Sequence, residues 1–292
     1  GYMTFNDQLH YRIQQLNSVE KLILINVAFF ILPLLFKTFL FLFNISSTNF
    51  FSWFELSASW IDLFMKPWSI ISYSFLHSGF FHLFWNMYLL FFVSKLFLNL
   101  FSSKLFFNIY FLGVILGGLC FILSYTFFPV FQNSFPVMIG ASAGVMSVFV
   151  FMSTYSPDLE VRLILFNIKL RYLAMVFVLL DVVQIPYGNA GGHLAHIGGA
   201  ILGFYYARQL KNGKNIGEHF RNFIDKVINI FRKKSNMRTV YKSHKTQKVN
   251  NNTSDARQKQ ERVDKILDKI SFSGYESLSQ EEKDFLFKAG NK

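Results

Sequence analysis

Residues 105–128 read LFFNIYFLGVILGGLCFILSYTFF, twenty-four positions without a charged side chain. A helix needs about 20 consecutive apolar residues to cross the hydrocarbon core of a bilayer, so this stretch predicts a membrane span. Five further apolar runs flank it: Leu22–Phe43, Phe80–Leu100, Ile139–Tyr155, Tyr172–Ile185 and Leu194–Leu210. The first is interrupted by Pro33 and Lys37, the fourth is short, and the fifth has only fourteen residues and carries Asp181. The expectation is an all-α integral membrane protein, a bundle of six transmembrane helices over residues 22–210. Composition agrees, because only 16% of the 292 residues are charged and 52% are hydrophobic, too few charges for an ordinary soluble surface. A cleaved leader is not expected, since some twenty mostly polar residues precede the first run.

The net charge of +12 is unevenly placed. Residues 1–207 hold 9 Lys and Arg against 7 Asp and Glu, whereas the last 85 residues hold 20 against 10. Lys and Arg accumulate on the cytoplasmic side of a span. Arg12 and Lys21 precede the first run, Lys95 and Lys104 bracket the junction of the second and third, and Arg162, Lys169 and Arg171 lie between the fourth and fifth. The segments 132–139 and 186–192 carry neither residue type, and the long first loop, 44–79, carries only Lys66. Both termini are therefore expected in the cytoplasm, with residues 1–21 as a cytoplasmic segment. Runs two, four and six then all enter from the outer side.

Beyond Leu210, Phe220, Phe223, Ile224, Val227, Ile228 and Phe231 recur at helical spacing among Arg and Lys. Residues 211–234 thus read as a basic amphipathic segment suited to anionic lipid. Residues 235–259 have no periodicity and read as a linker. In 260–292, Val263, Ile266, Leu267 and Ile270 form one stripe, Gly274 breaks it, and Ser279 with Glu282 has the form of a capping box, so a small helical hairpin is expected. Basic residues without a recognition motif do not suggest a nucleic-acid partner. The single cysteine, Cys120, excludes an intrachain disulfide and a cysteine metal cage, and neither a metal nor a cofactor is expected.

Polar side chains inside spans are costly and point to function. His82 and Asn86 begin run two, Ser142 begins run four and His196 begins run six. Because those runs share a direction, the four residues fall in one layer below the outer surface. His82 and Asn86, four apart, share a helix face. Ser142 is the centre of Gly140-Ala141-Ser142-Ala143-Gly144, a G-x-S-x-G string. In soluble hydrolases this string marks a nucleophile between a strand and a helix. That context is not expected within a membrane span, where small residues more commonly mean close helix packing. In run six, Gly199 and Gly203 share the face of His196 and would let another helix approach closely. If that helix is run four, an imidazole lies beside a serine that needs a base. His193 reads as a loop or capping histidine.

With these residues in place the chain resembles the rhomboid family of intramembrane serine proteases, of the bacterial type, over the six runs. The resemblance rests on His82 and Asn86 in GFFHLFWN (79–86), on Gly140-Ala141-Ser142, and on Ala195-His196-Ile197-Gly198-Gly199 continuing to Gly203. It implies that Ser142 is the nucleophile and His196 the general base, a dyad without a carboxylate, and that His82, Asn86 and the Ser142 N–H form the oxyanion hole. It also implies transmembrane proteins as substrates, cut near the outer leaflet, and a location in the bacterial inner membrane. The chain departs from the family at Ala143, where glycine is common, at Met146, where an aromatic residue often packs on the histidine, and in lacking a Trp-Arg pair in the first loop. The alternatives are a rhomboid-like protein that binds membrane clients without cutting them, and a small transporter.

Overall fold

The computed structural model describes residues 4–45, 50–163, 166–231 and 252–290. It divides into two compact units, Gly1–Arg232 and Lys233–Lys292.

The first unit begins with α1 (Phe5–Gln15) and α2 (Ser18–Leu42), each opened by a capping box: Thr4 with Asp7, then Asn17 with Glu20. These reciprocal bonds satisfy helix N–H groups that have no partner within the helix. The first loop is built rather than loose. It holds β1 (Leu56–Ser57), α3 (Trp60–Met65) and α4 (Ser69–Ser72), tied inward by Trp68 Nε1 donating to the Trp53 carbonyl at 2.8 Å and Trp60 Nε1 to Thr126 Oγ1 at 3.0 Å. Next come α5 (Phe80–Leu98) and α6 (Ser103–Phe127), then β2 (Val137–Met138) and α7 (Ser142–Tyr155). A hairpin of β3 (Glu160–Leu163) and β4 (Phe166–Lys169) leads to α8 (Leu170–Gln184), α9 (Ala190–Lys211) and α10 (Glu218–Phe231).

All six apolar runs are helical over most of their length, but they are not alike. By length and composition α2, α5, α6 and α8 extended to Tyr187 are long and apolar enough to cross a membrane, whereas α7 has only 14 residues. The reason is position: Ala143 to Ser153 of α7 are buried without a break, the pattern of a central helix surrounded by protein. The fold is helical as expected, and among the described residues its strands form two short antiparallel pairs, β1 with β2 and β3 with β4. The first pair joins Leu56 to Met138 and so anchors the first loop to the segment before Ser142.

Helices α6, α7 and α9 meet at backbone contact. A Cβ added at Gly199 would fall on the Ala143 carbonyl, and one at Gly203 on the Ser147 carbonyl. Gly117 of α6 faces the same junction, where a Cβ would lie 2.8 Å from the Ala195 carbonyl oxygen. Small residues are the usual interface of membrane helices because packing, not the hydrophobic effect, holds them together.

In the second unit, α11 (Asn252–Ser273) begins within the stretch read as linker and turns through Gly274, at φ 76°, to α12 (Gln280–Gly290). The Ser279 N–H donates to Glu282 Oε2 at 2.8 Å, Lys269 pairs with Glu282 at 2.9 Å, and Ile266 and Leu278 are buried. The rest of the predicted linker, through residue 251, lies outside the described residues.

Candidate active site

The turn before α7 explains where Ser142 stands. Pro136 disfavours helix, since its ring clashes with the preceding turn, and residues 137–138 pair as a strand with β1. Gly140 then takes φ +129°, its N–H held by the Tyr73 carbonyl at 2.9 Å, and the helix starts at Ser142. The strand-to-helix context absent from the sequence reading is thus present in miniature. Pro136 and Gly140 were the local signals for it. Ala141 provides no side-chain cap, so among the described residues the Ser142 N–H is unpaired at the positive end of the α7 dipole.

In the first turns of α5, His82 Nδ1 lies 3.0 Å from Ser78 Oγ and accepts the Ser78 N–H at 3.4 Å. That assigns the neutral ring's proton to Nε2. A Cβ at Gly140 would lie 2.8 Å from His82 Nε2 and 3.6 Å from Ser142 Oγ, so the two atoms flank one point and glycine keeps it open. Asn86 Nδ2 donates one hydrogen to the His82 carbonyl at 2.8 Å, and its second hydrogen has no acceptor among the described residues. Of Ser72, Ser74, His77 and Ser78, four polar residues ahead of α5, only Ser78 lines the cavity around Ser142. His77, in the loop before α5, is pushed down to about 4 by burial first and by the charge of His82 second. It packs edge-on to the His82 ring at 5.1 Å as a neutral imidazole.

The dyad without a carboxylate needs correction. Asp181 of α8 is buried, and its Oδ1 lies 2.8 Å from His196 Nδ1 and 2.8 Å from His193 Nδ1. His193 is therefore a partner of the same acid rather than a loop histidine. The sequence showed Asp181 as a charge inside a span, but not which way α8 turns it. Asp181, His193 and His196 also offer three ligand atoms within 4.8 Å of one another, a grouping not foreseen from the sequence. Two imidazoles and a carboxylate can hold a divalent ion, though an ion on Nδ1 would displace the bond that orients His196.

Ser142, His196, His82 and Asn86 line one cavity of about 710 Å³. A second, of about 420 Å³, reaches Ser142 and His196 from between α5 and α8, past Trp85, Tyr88, Phe177 and Leu180. Ser142 Oγ makes no hydrogen bond among the described residues; catalytic bonds are often open until substrate is bound. The departures from the family pattern have local answers. Ala143 faces Gly117, whose missing side chain makes room for the extra methyl, and Met146 lines the second cavity with Asp181 and His196.

Comparison with known proteins agrees with this architecture. The rhomboid domain matches residues 65–212, which include all of α5 to α9, and a family of unknown function, DUF6576, matches residues 247–288. Among curated proteins nothing matches the chain. The rhomboid match spans half of the sequence, and its helices include span-length apolar ones: this is an integral membrane protein, and it belongs to the rhomboid family.

Proposed function

We propose that the chain is an intramembrane serine endopeptidase that cleaves transmembrane segments of other proteins. The observation that carries the reading is the convergence of Ser142, His196, His82 and Asn86, from three helices, on one cavity. Ser142 Oγ attacks the peptide carbonyl. His196, whose Nδ1 proton goes to Asp181, receives the serine proton at Nε2 and returns it to the leaving amine, after which water hydrolyses the acyl-enzyme. His82 Nε2–H, Asn86 Nδ2–H and the Ser142 N–H bind the oxyanion. Substrate reaches Ser142 laterally through the cavity between α5 and α8, unwinding there because a helical carbonyl is already hydrogen-bonded. The distribution of positive residues supports termini in the cytoplasm and a cut near the outer leaflet, and the resemblance supports a bacterial cell membrane as the location. The basic and apolar residues that follow Leu210 in the sequence support a contact of that segment with anionic lipid. The test is labelling by a serine-directed fluorophosphonate in detergent: labelling that is lost in Ser142→Ala supports the reading, and equal labelling of both sinks it.

Two substitutions separate the roles. Asn86→Ala removes one oxyanion donor and is expected to lower turnover on the order of 10² to 10³-fold, measured on a transmembrane test substrate in vesicles. Asp181→Asn keeps the shape but no longer holds the His196 tautomer. Turnover is expected to fall on the order of 10²-fold or more with KM little changed, and an unaltered turnover number would reduce Asp181 to a packing residue. For orientation, a cysteine placed in 132–136 should react with an impermeant reagent from outside intact cells.

A further inference from the structure

A cavity larger than the one around Ser142 lies elsewhere in the same unit. It is a groove of about 960 Å³ along α8 and α9, closed behind by the last turns of α7. Its walls are apolar, Val178 and Val182 from one helix and Ile197 and Ile201 from the other, and Arg171, Arg208 and Lys211 stand at one end. That end is remote from the catalytic layer, because Ser142 opens α7 whereas Ser153 and Thr154, which line the groove, close it. At its other end the groove stops beside the active site, since Val182 follows Asp181 and Ile197 follows His196.

The three cations are not saturated. Arg171 pairs with Asp158, yet its buried Nε has no hydrogen-bond partner among the described residues. Lys211 Nζ donates to the Thr154 carbonyl at 2.9 Å, one of the three hydrogens it can give. Arg208 rests on the Phe204 ring at 5.3 Å and makes no hydrogen bond or ion pair among the described residues. Asp158 is the acid paired at this rim, and it is already shared between Lys169 and Arg171. A buried donor without an acceptor is costly, and positive charge in excess at the mouth of an apolar slot calls for an anion that carries a hydrocarbon chain. A free phosphate would leave the slot unexplained, and a lipid without net charge would leave the cations unexplained. Basic pockets between membrane helices bind anionic head groups by this combination.

We propose that the groove between α8 and α9 binds one anionic glycerophospholipid, with an acyl chain along Val178, Val182, Ile197 and Ile201 and its phosphate against Arg171, Arg208 and Lys211. The site is distinct from the catalytic cavity and does not depend on the protease reading. The test is native mass spectrometry of the full chain, released from detergent with phosphatidylglycerol, with phosphatidylcholine of the same acyl chains, or with inorganic phosphate. One retained phosphatidylglycerol per chain is expected, at a concentration about tenfold below that needed for phosphatidylcholine, with no stable phosphate adduct. Replacing Arg208 and Lys211 by glutamine should erase the preference, and Ile201→Trp, which fills the slot, should lose retained lipid of either kind while circular dichroism shows the helix content of the parent. Equal retention of both lipids by the parent overturns the proposal. So does a preference that survives Arg208→Gln with Lys211→Gln, lipid retention unchanged in Ile201→Trp, or phosphate that binds alone and displaces the lipid.

Discussion

In Ser142→Ala, cleavage of a transmembrane test substrate is expected to fall to background, at least about 10³-fold below the parent chain, with the thermal unfolding midpoint in detergent essentially unchanged. The asymmetry follows from the environment of the hydroxyl. Ser142 is the first residue of α7 and faces a cavity, and its Oγ makes no hydrogen bond among the described residues, so removing one oxygen leaves no buried partner unsatisfied. Substitutions of that kind usually change stability by less than about 0.5 kcal/mol. On the proposed reading what is lost is the nucleophile, and none of the groups around it can replace it. In that reading His82 and Asn86 act only as donors, and His196 is left without a hydroxyl to deprotonate. Proteolysis that persists in purified Ser142→Ala would mean that the cavity does different chemistry. A parallel loss of folded protein would mean that Ser142 is a structural residue.

Gly199→Val is expected to act the other way round, through stability first. The added Cβ would land on the Ala143 carbonyl of α7, and neither side can yield: Ala143 to Ser153 are buried throughout, and α6 presses on the same junction from Gly117. Overpacking usually costs about 1–3 kcal/mol where side chains can shift, and here the obstacle is backbone. An expected loss of about 3 kcal/mol or more should appear as a lower unfolding midpoint and a smaller folded fraction in detergent. The surviving protein should cleave poorly, because separating α7 from α9 separates Ser142 from His196. Ile201→Val, on the open face of the same helix, is the control and should leave the midpoint near that of the parent. A midpoint for Gly199→Val equal to the parent's would show that the helices do not meet as described.

Much of this was open to reading along the chain, and the limits are instructive. Run lengths located the helices to within a few residues: 80–100 against Phe80–Leu98, and 172–185 against Leu170–Gln184. The reading of 139–155 as one continuous span failed at its start, where Pro136 and Gly140 break the helix and residues 137–138 pair with Leu56 and Ser57, some eighty residues earlier. No periodicity in a two-residue strand could announce that partner. The role of Asp181 failed for a different reason. An acid in a short apolar run shows that something must accompany it, but its partners, His193 and His196, belong to another helix.

By itself the sequence determined that the chain is a helical membrane protein, because hydrophobicity and charge bias act through the solvent and the local backbone and need no knowledge of distant contacts, and its motifs around His82, Ser142 and His196 carried the resemblance to the rhomboid family. Only the tertiary structure decided that Asp181 turns inward to hold His196, that a strand and a glycine at positive φ set Ser142 at the head of α7, and that three cations gather at the mouth of an apolar groove. Those features depend on how α7, α8 and α9 rotate and pack against one another. That rotation is chosen by the sum of many weak contacts, which no single stretch of sequence contains.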